Sequence, residues 1–160
     1  MTIQVGDPIP EATLSYIDNG VHRIDTHSLF NGRKLVLFAV PGAFTPTCSE
    51  RHLPGYVEHF DAFRARGIEV ACMAVNDPFV MQAWGEHQHV PSGLRMLADG
   101  NADFTRALGL QMDASGYGMG VRCKRFALYA ENGIVRGLWV EAPGEFRVSS
   151  AEYVLAHLPA

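Results

Sequence analysis

The chain has 160 residues, of which 48% are hydrophobic, and a formal net charge of -4 at pH 7. This length fits one globular domain over residues 1–160, and the absence of blocks of like charge excludes a binding surface for nucleic acid or for an anionic membrane. Because the sequence contains neither a signal peptide nor an apolar run near the roughly 18 residues of a membrane span, we expect a cytoplasmic protein that acts on small solutes.

The first part of the sequence predicts a hairpin and a buried strand. Residues 12–17 and 21–26 flank Asp18-Asn19-Gly20, whose residues tolerate the positive φ of a tight turn. Residues 34–40 are a continuous apolar run rich in strand formers, which is typical of a central strand buried on both faces. Pro41-Gly42 ends this strand.

Two helices and a second buried strand are predicted next. Over residues 47–66 apolar side chains recur at three- and four-residue steps, which indicates a helix that Pro54 should kink. Residues 68–75 predict the second strand, and Asp77 caps a helix over residues 78–87.

Shorter elements follow: a strand at 96–98, a helix at 102–108, a Gly-rich loop at 115–120, a hairpin of 126–130 with 134–140, and a last helix to residue 158 opened by a capping box at 149–152. The order β-α-β-α, then β-β-α, indicates an α/β protein. We expect a thioredoxin-like fold with a mixed central sheet flanked by helices and an N-terminal hairpin.

Cys48 carries the strongest chemical signal, because it lies in the first turn of the predicted helix, directly after a buried strand. Unpaired amides and the positive end of the helix dipole favour an anion there, and therefore the thiolate, which is the reactive form of cysteine. Pro41 and Pro46 stiffen the turn, and the Thr45 hydroxyl is well placed to bond a peroxide oxygen.

The spacing of Pro41, Thr45 and Cys48 resembles the active-site motif of the peroxiredoxins. More specifically, the sequence resembles their type II (fifth-type) subfamily of plants and bacteria, and this resemblance spans nearly the whole chain. It is carried by Pro-Gly-Ala-Phe-Thr-Pro-Thr-Cys-Ser (41–49), His-Leu-Pro-Gly-Tyr (52–56), Val-Asn-Asp-Pro-Phe-Val-Met (75–81), Trp84 and Lys-Arg-Phe-Ala-Leu (124–128).

The resemblance implies a role for each motif residue. Cys48 would attack the terminal peroxide oxygen and become a sulfenic acid while water or an alcohol leaves. Thr45 would hydrogen-bond the peroxide, Pro41 would shield the sulfur, and Arg125 would stabilise the thiolate and the charge that moves between the oxygens.

The substrate pocket follows from the same resemblance. Backbone amides around Thr47 and Cys48 would complete the cradle for the peroxide oxygens. Phe44 and Met119 are candidate apolar residues at the mouth, where they would keep the site selective for peroxides.

The sequence leaves open how the Cys48 sulfenic acid is reduced back to the thiol. Cys72 lies near the position of a second cysteine in plant relatives and is a candidate resolving residue, although a strand covered on both faces favours a structural thiol. Glutathione with glutaredoxin, or thioredoxin, would otherwise reduce the sulfenic acid directly. Relatives of animal type place a resolving cysteine near the chain end, and residues 144–150 contain none, which excludes that mechanism.

Cys123 departs from the family pattern, since relatives carry a serine or a similar polar residue there. It lies two residues before Arg125, so in an extended segment both side chains share a face and the thiol would be near the pocket. It could be a spectator, a glutathionylation point or an improvised resolving thiol.

His52 shares a helical face with Cys48, which would also suit a Cys–His nucleophile or a metal pair. Two ligands do not make a zinc site, and the three cysteines follow no zinc spacing. We favour a hydrogen-bonded structural histidine, and we expect no metal or other cofactor.

Peroxidase activity is therefore the favoured function. The family resemblance also implies a homodimer. A thioredoxin-type dithiol oxidoreductase fails because no cysteine lies three residues from Cys48. A cysteine hydrolase would need an oriented base and an acyl pocket, and the sequence shows neither. A peroxide-responsive sensor or chaperone that signals to a protein partner is the remaining alternative.

Overall fold

The computed structural model describes residues 2–159, and its larger sheet has seven strands in the order β2-β1-β5-β4-β3-β8-β9. β3, β4 and β5 are parallel, whereas β1, β2, β8 and β9 pair antiparallel with their neighbours. The strands are β1 (Thr13–Ile17), β2 (Val21–Asp25), β3 (Lys34–Ala39), β4 (Ile68–Ala74), β5 (Arg95–Ala98), β6 (Gln111–Asp113), β7 (Val121–Cys123), β8 (Phe126–Glu131) and β9 (Ile134–Val140). The predicted mixed sheet and N-terminal hairpin are confirmed.

Helices cover both faces of this sheet. They are α1 (Thr26–Phe30), α2 (Leu53–Glu58), α3 (Phe60–Ala65), α4 (Pro78–His87), α5 (Asp103–Leu108) and α6 (Ala151–His157). Residues of α1 and α5 belong to one buried cluster, and residues of α2, α3, α4 and α6 belong to the other. The alternation of side chains along each strand supplies both clusters.

The prediction of one kinked helix over residues 47–66 was wrong. The segment begins with a π-helical turn at Cys48–His52, continues as α2, breaks at His59 and resumes as α3. Pro54 lies in the first turn of α2, directly after the π-helical turn, and the segment does not break at this residue. The break is at His59, whose φ of -98° and ψ of 9° depart from helical values.

Three smaller differences concern chain turns. Helix α1 was not predicted; its cap is Asp25, which accepts from the Ser28 amide at 2.8 Å. The Gly-rich residues 115–120 join β6 to β7, which form a separate two-stranded sheet that the pattern did not reveal. Ser150, not Ser149, caps α6 by accepting from the Tyr153 amide.

No helix among residues 2–159 combines the length and the apolar character that crossing a membrane requires.

Candidate active site

The loop that leads from β3 to Cys48 is anchored to the neighbouring strand β4. The amide of Val40 donates to the carbonyl of Met73 at 3.0 Å, and the amide of Ala43 donates to the Asn76 side chain at 2.9 Å. Thr45 closes the loop on itself, because its hydroxyl donates to the Gly42 carbonyl at 2.7 Å. The residues that precede Cys48 are therefore held at the carboxyl end of the parallel strands.

The helix that follows starts as a π-helical turn, a feature often found at functional sites. Its first residue is Cys48 and its last is His52, and the amide of Leu53 closes the turn onto the Cys48 carbonyl. The indole N–H of Trp84 in α4 donates to the Ser49 hydroxyl at 3.0 Å. This bond ties the start of the turn to the neighbouring helix.

Arg125 is the direct partner of the Cys48 sulfur. One guanidinium nitrogen (Nη2) donates to Cys48 Sγ at 3.1 Å, across 77 residues of sequence. The contact therefore places a planar cationic donor directly against the sulfur.

His52 holds the other side of the same guanidinium. Arg125 Nη1 donates to His52 Nδ1 at 2.8 Å, so the Nε2–H must donate to the Ser149 carbonyl at 3.0 Å. Burial, followed by the nearby charge of Arg125, lowers the pKa of His52 to about 3. The imidazole is therefore neutral, and since both nitrogens are engaged it is not a base for the Cys48 proton.

The turn at residues 147–149, which follows β9, contacts His52 through the Ser149 carbonyl. The Glu141 carboxylate accepts from the amides of Arg147, Val148 and Ser149 and from the Ser149 hydroxyl, at 2.6 to 2.9 Å. Burial would raise the pKa of Glu141, but these hydrogen bonds outweigh it and lower the pKa. The Glu141 carboxylate thus holds the backbone of residues 147–149 in place.

Phe146, directly before this turn, packs against the cationic groups of the site. Its ring lies 5.8 Å from the Arg125 guanidinium carbon, 4.7 Å from that of Arg51, and 5.0 Å from the His52 ring in an edge arrangement. Cation–π contacts of this kind restrain the guanidinium without removing its charge.

A cavity of about 700 Å³ opens next to this network. Thr45, Arg125 and Lys124 are among the residues that line it. The other lining residues are Pro41, Pro46, Thr47, Met112, Asp113, Tyr117, Glu141, Ala142, Pro143, Gly144 and Glu145. Hydrogen-bond donors and apolar rings therefore face the same space.

Cys48 itself has no exposed surface, and neither have Cys72 and Cys123. Burial therefore does not distinguish the three thiols from one another, but the groups that they contact do. Cys48 receives a hydrogen bond from a guanidinium that lines the cavity. Burial, followed by the nearby Cys48 and Cys123, raises the pKa of Cys72 well above its ordinary value.

The placement of Cys123 differs from the sequence expectation. Its side chain lies in the buried cluster on the opposite face from Cys48, and its Sγ–H donates to the Val40 carbonyl at 3.1 Å. Burial raises its pKa to about 12. β7 ends at Cys123, so the strand does not continue to Arg125, and Cys123 does not line the cavity although it contacts Val40 beside it.

The three candidate pocket residues are placed differently. Thr47 lines the cavity, whereas Phe44 and Met119 do not. Phe44 adopts a φ of 65° and turns its half-exposed ring toward Trp84 and His87 of α4. Met119 approaches Gly42 behind the loop, where its Cε would lie 3.0 Å from an added Cβ.

Sequence reasoning missed Glu141, Ser149 and Phe146. A glutamate directly after a hairpin strand was the available signal for Glu141, but nothing in the sequence indicates that its hydrogen-bond donors are the amides six to eight residues later. Among residues 2–159 no group of three or more His, Cys, Asp or Glu side chains could hold a metal ion.

Comparison with known proteins agrees with this geometry. The Redoxin family model matches residues 4–155. A chloroplastic peroxiredoxin-2E-2 of Oryza sativa is 49% identical, over 98% of this chain and 73% of the relative. Peroxiredoxin-2C of Arabidopsis thaliana is 44% identical, over 98% of both chains.

A solved structure shows the same fold. Reduced Prx3 of Vibrio vulnificus, in complex with hydrogen peroxide, superposes with a TM-score of 0.95 at 51% identity, covering 99% of this chain and 100% of the other. The chain accordingly belongs to the Redoxin family and is a peroxiredoxin, a thiol-dependent antioxidant peroxidase that acts on peroxides.

Proposed function

We propose that Cys48 is the nucleophile of this peroxidase. Its thiolate attacks the terminal oxygen of the hydroperoxide, the S–O bond forms as the O–O bond breaks, and the second oxygen leaves as water or an alcohol after taking up a proton. Cys48 is oxidised to a sulfenic acid and the peroxide is reduced. The observation that carries this proposal is the 3.1 Å contact from Arg125 to the sulfur.

The neighbouring residues divide the remaining work. Arg125 stabilises the thiolate and then the negative charge that develops on the leaving oxygen, which is the group a preorganised cation assists most. Thr45 also lines the cavity, and its hydroxyl, whose hydrogen is donated to the Gly42 carbonyl, can accept a hydrogen bond from the O–H of the peroxide. Pro41 covers the site from the strand end and offers no competing N–H donor.

The substrates we propose are hydrogen peroxide and small alkyl hydroperoxides. The relative from Vibrio vulnificus binds hydrogen peroxide. The cavity of about 700 Å³ leaves space for an alkyl group against Pro46 and Pro143.

We propose a one-cysteine cycle in which an external thiol regenerates Cys48. Glutathione with glutaredoxin, or thioredoxin, would supply two electrons and release water from the sulfenic acid. The raised pKa of Cys72 keeps that thiol protonated at neutral pH, and a protonated thiol is a poor resolving nucleophile. Cys123 is likewise protonated and lies on the other face of the sheet.

The chemistry proposed here needs no metal or other cofactor, because the oxidant and the reductant are both substrates. We also propose a cytoplasmic location and a homodimer, on the family resemblance. Sedimentation equilibrium would show the dimer as twice the 17.5 kDa chain mass, and a species of 17.5 kDa would contradict it.

Peroxide consumption tests the proposal in the parent and in Cys48→Ser, Cys72→Ser and Cys123→Ser, each with glutathione–glutaredoxin and with thioredoxin. We expect loss of turnover only in Cys48→Ser. Loss in Cys72→Ser with its fold intact would refute the one-cysteine cycle. Sustained turnover also separates an enzyme from a sensor whose Cys48 is oxidised once to signal to a partner.

A further inference from the structure

Glu141 is a buried carboxylate that the proposed reaction leaves without a role. It is only 6% exposed, yet it makes no ion pair within 4.0 Å with a side chain of residues 2–159. Its partners are three successive backbone amides and one hydroxyl. A buried charge satisfied in this way fixes the backbone that satisfies it.

The backbone fixed by Glu141 ends in the carbonyl of Ser149. That oxygen accepts from His52 Nε2 at 3.0 Å and from the Tyr56 hydroxyl at 2.8 Å. The N–H and the side chain of the same serine both bond to Glu141, and Ser150 caps α6, so the peptide group that carries this carbonyl is held on both sides. Glu141 therefore holds one side of an acceptor used by two residues of the turn and helix that follow Cys48.

His52 links this acceptor to Arg125. Because Nε2–H is committed to the Ser149 carbonyl, Nδ1 carries the lone pair and accepts from Arg125 Nη1 at 2.8 Å. With Nη1 held, Nη2 of the same planar group lies 3.1 Å from Cys48 Sγ. A planar guanidinium held at one nitrogen has little freedom at the other.

A second connection joins the same two residues through the backbone. The amide of Glu141 donates to the carbonyl of Arg125 at 2.9 Å, which continues the pairing of β8 with β9 past their ends. Glu141 thus holds the main chain of Arg125 directly and its side chain through Ser149 and His52.

We propose that Glu141 is a positioning residue of the peroxidase: by ordering the turn at residues 147–149, it aims the guanidinium of Arg125 at the Cys48 sulfur. The inference rests on the proposed roles of Arg125 and Cys48. It predicts that removing the carboxylate slows the reaction with peroxide only when Arg125 is present.

A double-mutant cycle measures this dependence. The second-order rate constant for oxidation by hydrogen peroxide is measured by stopped flow in the parent, Glu141→Gln, Arg125→Ala and the double variant. The amide of glutamine keeps the size of the side chain but replaces one acceptor oxygen with a donor that opposes the backbone N–H groups. We expect Glu141→Gln to lower the rate constant about tenfold with Arg125 present, because a misaimed donor loses most of its effect, and by less than about twofold in the Arg125→Ala background.

Glu152→Gln is the matched control. Glu152 lies in the first turn of α6, is exposed, pairs among residues 2–159 only with His59 and does not line the cavity, so its change removes the same charge but leaves the turn intact. We expect its rate constant to stay within about twofold of the parent value.

Each outcome decides the inference. Equal fold-losses from Glu141→Gln with and without Arg125, or no loss with Arg125 present, would overturn it. If Arg125→Ala itself leaves the rate unchanged, the proposed role of Arg125 fails first, which is a distinct result. Should Glu141→Gln fail to fold, Ser149→Ala replaces it, since that change removes only the hydroxyl contact at 2.6 Å; a loss of about threefold that vanishes without Arg125 would support positioning, and an unchanged or Arg125-independent rate would refute it.

Discussion

At the scale of single residues, the site depends on a histidine that stays neutral. His52 is fully buried between Phe38, Tyr56 and Phe146, and it bonds Arg125 through Nδ1. A proton on Nδ1 would replace an acceptor with a donor that faces a cation. The neutral imidazole is therefore a condition for the orientation of Arg125.

This condition predicts that the fold loses stability in acid. The pKa of His52 is about 3 in the folded chain and near the ordinary 6.5 when unfolded, so between these values only the unfolded state binds the proton. The free energy of unfolding should therefore fall as the pH drops from 6.5 toward 3, by about 5 kcal/mol in total from this one group. Urea unfolding at pH 7, 5.5 and 4.5 measures the slope.

His52→Gln isolates the contribution of this residue, since glutamine does not titrate. The variant should be less stable than the parent at pH 7, and the gap between the two should narrow as the pH falls. His22→Gln is the control, because His22 is exposed, and it should leave the slope of the parent unchanged. A constant gap between the parent and His52→Gln over this pH range would contradict the account.

The residue scale also shows what the sequence could and could not predict. Local spacing and family resemblance were sufficient to name Cys48 and Arg125, which the structure brings together across 77 residues. They did not predict that the Ser149 carbonyl serves His52, because backbone atoms 97 residues apart leave no pattern in side-chain types. Phe44 was misplaced since its positive φ turns an apolar side chain away from the cavity.

At the scale of elements, two glycines within helices differ in how closely they pack against the rest of the protein. A Cβ on Gly85 of α4 would lie 2.9 Å from Met96 Cγ of β5, whereas one on Gly55 of α2 would meet nothing within 4 Å. Gly85 therefore permits the close approach of a helix to the sheet, and Gly55 does not serve such a contact.

Alanine at each position should change stability in opposite directions. Gly55→Ala should raise the free energy of unfolding by about 0.5 to 1 kcal/mol, because alanine restricts the unfolded chain and favours helix. Gly85→Ala should lower it by about 1 to 3 kcal/mol, since the crowding against Met96 exceeds that gain. Urea unfolding of the two variants beside the parent checks the signs, and stabilisation by both changes would contradict the packing argument.

Elements with strong local patterns could be predicted, and those decided by tertiary contacts could not. The buried strands β3 and β4 and the capped helix α4 carry their signals in adjacent residues. The π-helical turn has the same apolar spacing as an ordinary helix start, so periodicity cannot distinguish them. Ser149 resembled a helix cap because the cap motif is local, but Glu141 binds its side chain instead.

At the scale of the whole molecule, the sheet distributes the three sulfurs over its two faces. Cys48 and Cys72 lie in the cluster on one face and Cys123 in the cluster on the other, and among the three only Cys48 is bonded to a guanidinium. Arg125, at the start of β8, and the turn after β9 reach this thiol because β8 pairs with β3, whose end leads into the active-site loop. The topology thus brings distant segments to one reactive atom.

Activation of the Cys48 sulfur by Arg125 can be measured by stopped-flow oxidation with hydrogen peroxide under single-turnover conditions. We expect Arg125→Ala to lower the second-order rate constant about 100-fold. Arg23→Ala, which removes an exposed arginine of β2 that does not line the cavity, should leave it within about twofold. Equal rate constants for the parent and Arg125→Ala, or equal losses in both variants, would contradict activation by Arg125.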